Sequence, residues 1–568
     1  GLLPMVALAA TQSNVTYLDV NGISQTCASA TVVDSTTTTW NGGWYVVQGT
    51  VVISQGVTFS GDVHLILTDN CDLTVENGIE GQGDLTVYAQ STGDAQGSMS
   101  AVGSSVMEGD KSVSRGIRVN GNFSINGGTV NAEGGNAESE SIGIYVDEEL
   151  SIDGGTVTAT GGSADKSTGI HVIKELFGAG GTVTAIGGTA DHSTGMIVGD
   201  EDNPDHGGYV NLSGNANITA VGGTSTGISC GFYVCTELLI TDGTVNAKGG
   251  NAKSGSYGLW AYNVIATGGS VSAIGGTAEG SLGLFGFRVT ISGGTVTAIG
   301  GTATTTGRVD ETTSCGIQVA DDDNETDFGG YLNISGDAYV TAIGGDAGWI
   351  SCAAFVQIGL NMSGGYLMAE ASLQAEEHPS FYYDNLQLTN EGPYLWRIYE
   401  MNGFYDSTDR QYSYDKYYSY VEILCSYTEV TASDTEWTTG LYVVNRNVSI
   451  GNELFAAINP VTVKVTGDVR LILAGGYKLT VNGRIEVNEG NTLTIYGQTD
   501  AGDKLIVNNY SGSAGIGGRN GCSSGSITIN GGTVTATSAG DSAAIGGGYS
   551  GTGYVTINGG TVTATSSG

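Results

Sequence analysis

The sequence predicts an all-β chain: two right-handed parallel β-helices (solenoids) in tandem, with a Tyr-rich β-hairpin element between them. Three observations carry that prediction. First, one seven-residue phrase keeps returning: TVNAEGG from Thr129, TVTATGG from Thr156, TVTAIGG from Thr182, NITAVGG from Asn217, TVNAKGG from Thr244, SVSAIGG from Ser270, TVTAIGG from Thr295 and YVTAIGG from Tyr339. The steps are 27, 26, 35, 27, 26, 25 and 44 residues, a period near 26 with two expansions. Such a period marks a solenoid whose coils bury apolar surface only by stacking. Second, each period contains three short alternating runs. In 143–168 these are Ile144 and Val146, Leu150 and Ile152, then Val157 and Ala159. Alternation over four or five residues is the strand signal, and Thr and Val suit strands. Third, the chain has 95 glycines in 568 residues, and they fall at fixed offsets such as Gly154-Gly155 and Gly161-Gly162. Glycine turns corners that a side chain would block, so three strands and three corners make one coil of a parallel β-helix. The right hand is expected because most parallel β-helices and β-crossovers have it.

The elements follow in order. Residues 1–14 form a signal-peptide remnant or N-terminal arm: GLLPMVALAA is apolar, with small residues at Ala7 and Ala9 where a signal peptidase cuts. Residues 15–110 form a leader module and first coils, in which WNGGWYVVQGTVVIS from Trp40 is followed by GDVHLIL from Gly61 and DLTVYAQSTGD from Asp84. Residues 111–375 are the first repeat array. Residues 376–430 lack the Gly-Gly repeat and are rich in Tyr; the stretch 394–399 and the run 412–423 predict antiparallel hairpins. Residues 431–568 repeat the plan, with WTTGLYVVNRNVSIG from Trp437, GDVRLIL from Gly467 and TLTIYGQTDAGD from Thr492. Each leader is expected to cap a helix end, where open strand edges would otherwise invite pairing. The last coil stops at Gly568 in mid-repeat, so the natural protein is expected to continue.

Composition narrows the partners. The balance is 19 Lys and Arg against 57 Asp and Glu, a formal charge of −38. Phosphate backbones need clustered cations, so nucleic acid is excluded, and an anionic membrane is disfavoured on the same ground. No run approaches a membrane span. Eight cysteines form no CxxC pair, which argues against structural zinc. Cys230, Cys315 and Cys352 each stand one residue before a GFYV, GIQV or AAFV run. The last two lie in consecutive coils, close enough for a disulfide, but the favoured reading is a ladder of free, inward thiols, since buried Cys behaves as a small hydrophobe.

The duplicated leader, with AGIGG at 514–518 and ITINGGTVTAT at 527–537, resembles secreted β-helix repeat proteins of gut Firmicutes, a group labelled carbohydrate-binding-domain-containing. That resemblance covers nearly the whole chain. It implies the fold, an extracellular and cell-surface-attached location, and contact with carbohydrate.

Three features bear on chemistry. Pectin-cleaving enzymes share this fold, but the chain has no GHG or RxK phrase and its histidines are scattered. Arg118, Arg288 and Arg308 show no evident acidic cage, so no catalytic residue is assigned and no enzyme is expected. Two acidic insertions, GDEDNPDHGGY at 199–209 and ADDDNETDFGGY at 320–331, follow equivalent strands. Closely spaced carboxylates suit Ca2+, so Asp200, Asp202, Asp205, Asp321, Asp323 and Asp327 are candidate ligands; a solvated acidic loop is the competing reading. Finally, one outward position reads Arg118, Tyr145, His171, Ile197, Tyr233, Trp260, Phe285, Gln318 and Phe355 down the stack. Tyr145, Tyr233, Trp260 and Phe285 are the candidate carbohydrate-binding residues, because flat aromatic faces suit sugar C–H faces. The consecutive three should make a strip roughly 10 Å long, with Trp260 central and most shielded. The competing reading is an insertion folded over this face. The expected function is a non-enzymatic glycan-binding protein or adhesin. A structural stalk or filament, with self-association along the solenoid, is the alternative, and a polysaccharide lyase or glycoside hydrolase the lesser one.

Overall fold

The computed structural model describes residues 10–567 apart from 201–202, 204–206, 305–311, 321–329, 358, 373–380, 384–385, 389–394, 401–417, 425–426, 456, 474–475, 498–502 and 558–559. It divides into two compact units, residues 1–425 and 426–568.

In the first unit each coil contributes three parallel strands. One coil holds Glu140–Val146, Glu149–Ile152 and Thr156–Thr160; the next holds Lys166–Val172, Glu175–Gly178 and Thr182–Ile186. Equivalent residues stack without slippage, Ile144 on Ile170, Leu150 on Leu176 and Val157 on Val183. Twelve third strands, with Leu395–Glu400 and Tyr418–Leu424 added at one edge, build one fourteen-stranded sheet. Three successive coils fuse their first two strands into single long ones, Ser225–Ile240, Gly255–Ala266 and Gly280–Ile291. The fold is therefore the expected all-β parallel β-helix.

Period-two alternation places the core as anticipated. Val157, Val183 and Val296 are buried. Their flanking threonines face outward, exposed at Thr156 and Thr182 and half-buried at Thr158, Thr184, Thr295 and Thr297. The alanine that follows each valine by two, as at Ala159, Ala185, Ala273 and Ala298, is fully buried.

A column of serines seals the corner after the third strand. Ser141 Oγ donates to the Gly135 carbonyl and accepts from the Gly162 amide of the next coil, both at 2.7 Å. The same two bonds recur at Ser167, Ser193, Ser229, Ser256, Ser281 and Ser314. Each of these serines is completely buried. A buried glycine corner leaves peptide groups that the sheets cannot satisfy, and the hydroxyl serves one in each of two coils.

At the N-terminal end Thr11–Leu18 pairs antiparallel with Ser24–Val32. That strand starts inside the stretch 1–14 expected to be an arm. It is held because Val15 joins Cys27, Ala30, Val46 and Ile66 in an apolar cluster on the outside of the sheet. Residues 1–9, expected to be the signal-peptide remnant, lie outside the described residues. Beyond the array, Tyr418–Leu424 pairs antiparallel with both Tyr366–Glu370 and Leu395–Glu400.

The second unit has its own apolar core, running from Val430 to Ala544. The leaders match in detail. Trp40 and Trp437 are wholly buried. Each packs on a tyrosine, Tyr45 at 5.6 Å and Tyr442 at 5.7 Å between ring centroids. Those tyrosine hydroxyls accept from the amides of Asn41 and Thr438 at 2.8 and 2.9 Å.

Candidate functional site

The outward ladder forms in the expected order, with Arg118, Tyr145, His171, Ile197, Tyr233, Trp260, Phe285, Gln318 and Phe355 in continuous register. Its members do not form one surface. Tyr145 belongs to a charged cluster. Arg115 reaches Glu108 at 2.7 Å and Glu140 at 3.1 Å, and Arg118 reaches Glu108 at 2.8 Å and Glu80 at 3.2 Å. The two guanidinium carbons lie 5.0 and 5.8 Å from the Tyr145 ring centroid. Burial, with Asp147 adding to it, pushes the Tyr145 phenol up to about 12. Arg118 thus has the acidic surroundings that sequence analysis did not find, because Glu108 arrives on the hairpin of Val106–Glu108 and Lys111–Val119. Arg308 lies outside the described residues.

His171 meets the Tyr145 ring edge-on at 5.2 Å, and the buried Ile197 follows it in the ladder. Tyr145 is thereby separated from the aromatic group further on. His64 stacks on Trp44 at 4.5 Å, and burial lowers its pKa against the opposing pull of Asp62.

Tyr233, Trp260 and Phe285 do stand together. Their centroids are 5.2 and 5.3 Å apart, but the rings meet at 69° and 87°. Edge-to-face contact is the electrostatically favoured arrangement at this spacing, so the expected strip forms as a stepped wall of rings. Phe285 is buried and Trp260 half-buried, so the most shielded position is one coil beyond the one expected.

A second column, of which sequence analysis aligned only the three cysteines, runs beside the ladder: Cys230, Tyr257, Leu282, Cys315 and Cys352. Bulky Tyr257 and Leu282 give way to two cysteines, while the ladder beside them changes from Trp260 and Phe285 to Gln318 and Phe355. That step in side-chain size leaves a hollow of about 510 Å³. Thr313 and Ile350 complete its rim, and none of the described residues lining it is charged.

Cys315 and Cys352 form a disulfide, with Cα atoms 4.7 Å apart. For these two residues it overturns the reading of free, inward thiols, while Cys230 is buried and outside any disulfide. Gly316 occupies the inward corner, where a Cβ would lie 2.6 Å from the Ile343 nitrogen, so Cys315 turns outward over the ladder. Cys230 stacks on Tyr257 instead of a cysteine.

Of the six aspartates proposed for calcium, only Asp200 is described; it is half-buried, and its carbonyl accepts from the Asn203 amide at 3.1 Å. Asp202, Asp205, Asp321, Asp323 and Asp327 lie outside the described residues. Among the described residues no group of three or more His, Cys, Asp or Glu is placed to hold a metal ion. No helix among them is long and apolar enough to cross a membrane.

No curated protein and no solved structure matches the chain. A family model for a beta helix repeat matches residues 123–143, 150–171, 289–307, 527–549 and 555–568. The matches fall in both units, those at 123–143 and 150–171 on the stacked parallel strands described above, and they support the conclusion that the chain is a β-helix repeat protein.

Proposed function

We propose that this chain is a non-enzymatic, extracellular protein that binds glycans at the wall of Tyr233, Trp260 and Phe285 and in the hollow beside it. The observation that carries the reading is the aromatic wall opening onto a hollow whose described lining is uncharged. Aromatic faces contact sugar rings, and a concave apolar site with a few polar groups is the usual form of a ligand pocket. The Cys315–Cys352 disulfide favours an oxidising, extracellular compartment. The net charge of −38 disfavours polyanionic glycans, so neutral chains are the first choice.

Binding to a panel of plant and mucin glycans tests this. Trp260→Ala is expected to weaken binding by about tenfold or more, as truncating a central aromatic anchor does. Tyr145→Ala should leave binding unchanged, because its ring is packed under Arg115 and Arg118. Equal binding by wild type and Trp260→Ala, or none by either, rejects the site. The axial serine column and unbroken stacking would then favour the stalk reading.

The paired acidic loops are proposed as calcium sites. Carboxylates crowded in a loop repel one another until a cation binds, and binding to the folded state stabilises it by mass action. Melting temperature should rise with calcium and fall with chelator. An unchanged value in both conditions removes the ion from the description.

A further inference from the structure

We propose that the hollow beside Trp260 takes the acetamido group of a neutral 2-acetamido sugar. The proposal rests on the glycan reading above and specifies its ligand. Three features of the hollow select that group.

The first is its lining. The disulfide forms one part of the surface and Phe285 and Phe355 stand on either side of the Gln318 coil. A methyl group packs well against sulfur and aromatic carbon.

The second is Gln318, the carboxamide in this otherwise apolar part of the ladder. A carboxamide offers both a donor and an acceptor, and a secondary amide offers the same pair in return. The acetamido amide is trans, with N–H and C=O on opposite sides, so Gln318 can accept from the one or donate to the other. The parent hexose differs only at C2 and would bring one hydroxyl to this place, leaving the methyl contacts unmade and the hollow unfilled.

The third is charge. No described lining residue is ionised, so none of them would serve as counter-ion to a buried ammonium or carboxylate substituent. An N-acetyl group differs from a free amino group in this respect.

The test uses the full chain and calorimetric titration with methyl glycosides of N-acetylglucosamine, N-acetylgalactosamine, glucose, galactose and glucosamine. At least one acetamido glycoside should bind about tenfold or more tightly than its parent hexose, and glucosamine should bind no better than glucose. Gln318→Leu, which keeps the shape and removes the amide, should abolish that preference at an unchanged melting temperature. Equal affinity for acetamido sugars and parent hexoses overturns the proposal while leaving the glycan reading intact. A preference that persists in a folded Gln318→Leu protein overturns it too. If no glycoside binds and the glycan panel is also silent, the glycan reading fails and this proposal with it. The wild-type comparison decides the matter even where the variant does not fold.

Discussion

Gly250→Ala is expected to destabilise the first unit by about 3 kcal/mol or more, at the upper end of overpacking costs. A Cβ there would lie 2.1 Å from the Gly223 carbonyl oxygen and 2.3 Å from that of Gly222. Both oxygens are backbone atoms of the preceding coil. They cannot rotate away as a side chain would. The preceding coil is itself fixed, because the Gly223 amide donates to Ser193 and its carbonyl accepts from Ser229. Relief therefore requires the coils to part, breaking axial hydrogen bonds in strands on both sides. Backbone strain is not the cause, since Gly250 is outside the glycines with positive φ; the cause is close approach alone. Gly280 is the internal control: its Cβ would meet nothing nearer than the Ser254 oxygen at 3.6 Å. Gly280→Ala should shift stability by no more than about 0.5 kcal/mol. Denaturant midpoints for the two variants decide the point, with amide exchange around residues 222–250 to detect local opening in a long array. Equal midpoints for Gly250→Ala and wild type would show that the stack tolerates a Cβ at this corner.

The same glycine shows how much of the fold was legible in the sequence. Gly249-Gly250 recurs at a fixed distance from Val245 and Ala247, so period, inward face and corners could all be read without coordinates. Stacking order could be read too, which is why Tyr233, Trp260 and Phe285 fall where expected. Legibility fails where a property depends on several coils at once. The hollow exists because Cys315 and Cys352 follow Tyr257 and Leu282, a contrast visible only after a second column is aligned. Alternation marks Tyr145 as outward, yet it cannot show that a hairpin brings Glu108 over the neighbouring arginines. Cys315 shares its parity with the buried Ile317, and Gly316 between them breaks the simple rule. The serine column was within reach and was missed. Ser141, Ser167, Ser193, Ser229, Ser256, Ser281 and Ser314 all stand two residues before a glycine. A polar residue repeating at a buried offset is a signal of satisfied backbone groups, as regular as the valines.

Ser256→Ala is expected to cost about 2–4 kcal/mol, more than its size suggests, because removing one hydroxyl strands two buried groups. Ser256 Oγ donates to the Gly250 carbonyl at 2.8 Å and accepts from the Gly276 amide at 2.9 Å. Without it, neither group has water within reach, since Ser256 is completely buried. Space is equally constrained: a Cβ on Gly249 would come within 2.3 Å of this oxygen, and one on Gly276 within 2.7 Å. The glycines are bare so that the hydroxyl can fit, and the hydroxyl is present so that the bare corner is hydrogen-bonded. Thr158→Ala supplies the contrast. Its hydroxyl belongs to the outward face and is half-buried, so its loss should change stability by no more than about 0.5 kcal/mol. The double variant Ser256→Ala/Ser281→Ala should cost at least the sum of the single changes, because adjacent hydroxyls polarise one continuous column. A Ser256→Ala protein as stable as Thr158→Ala would mean that the corner relaxes to satisfy its own peptide groups. The regular spacing of serine in this chain would then have no energetic basis.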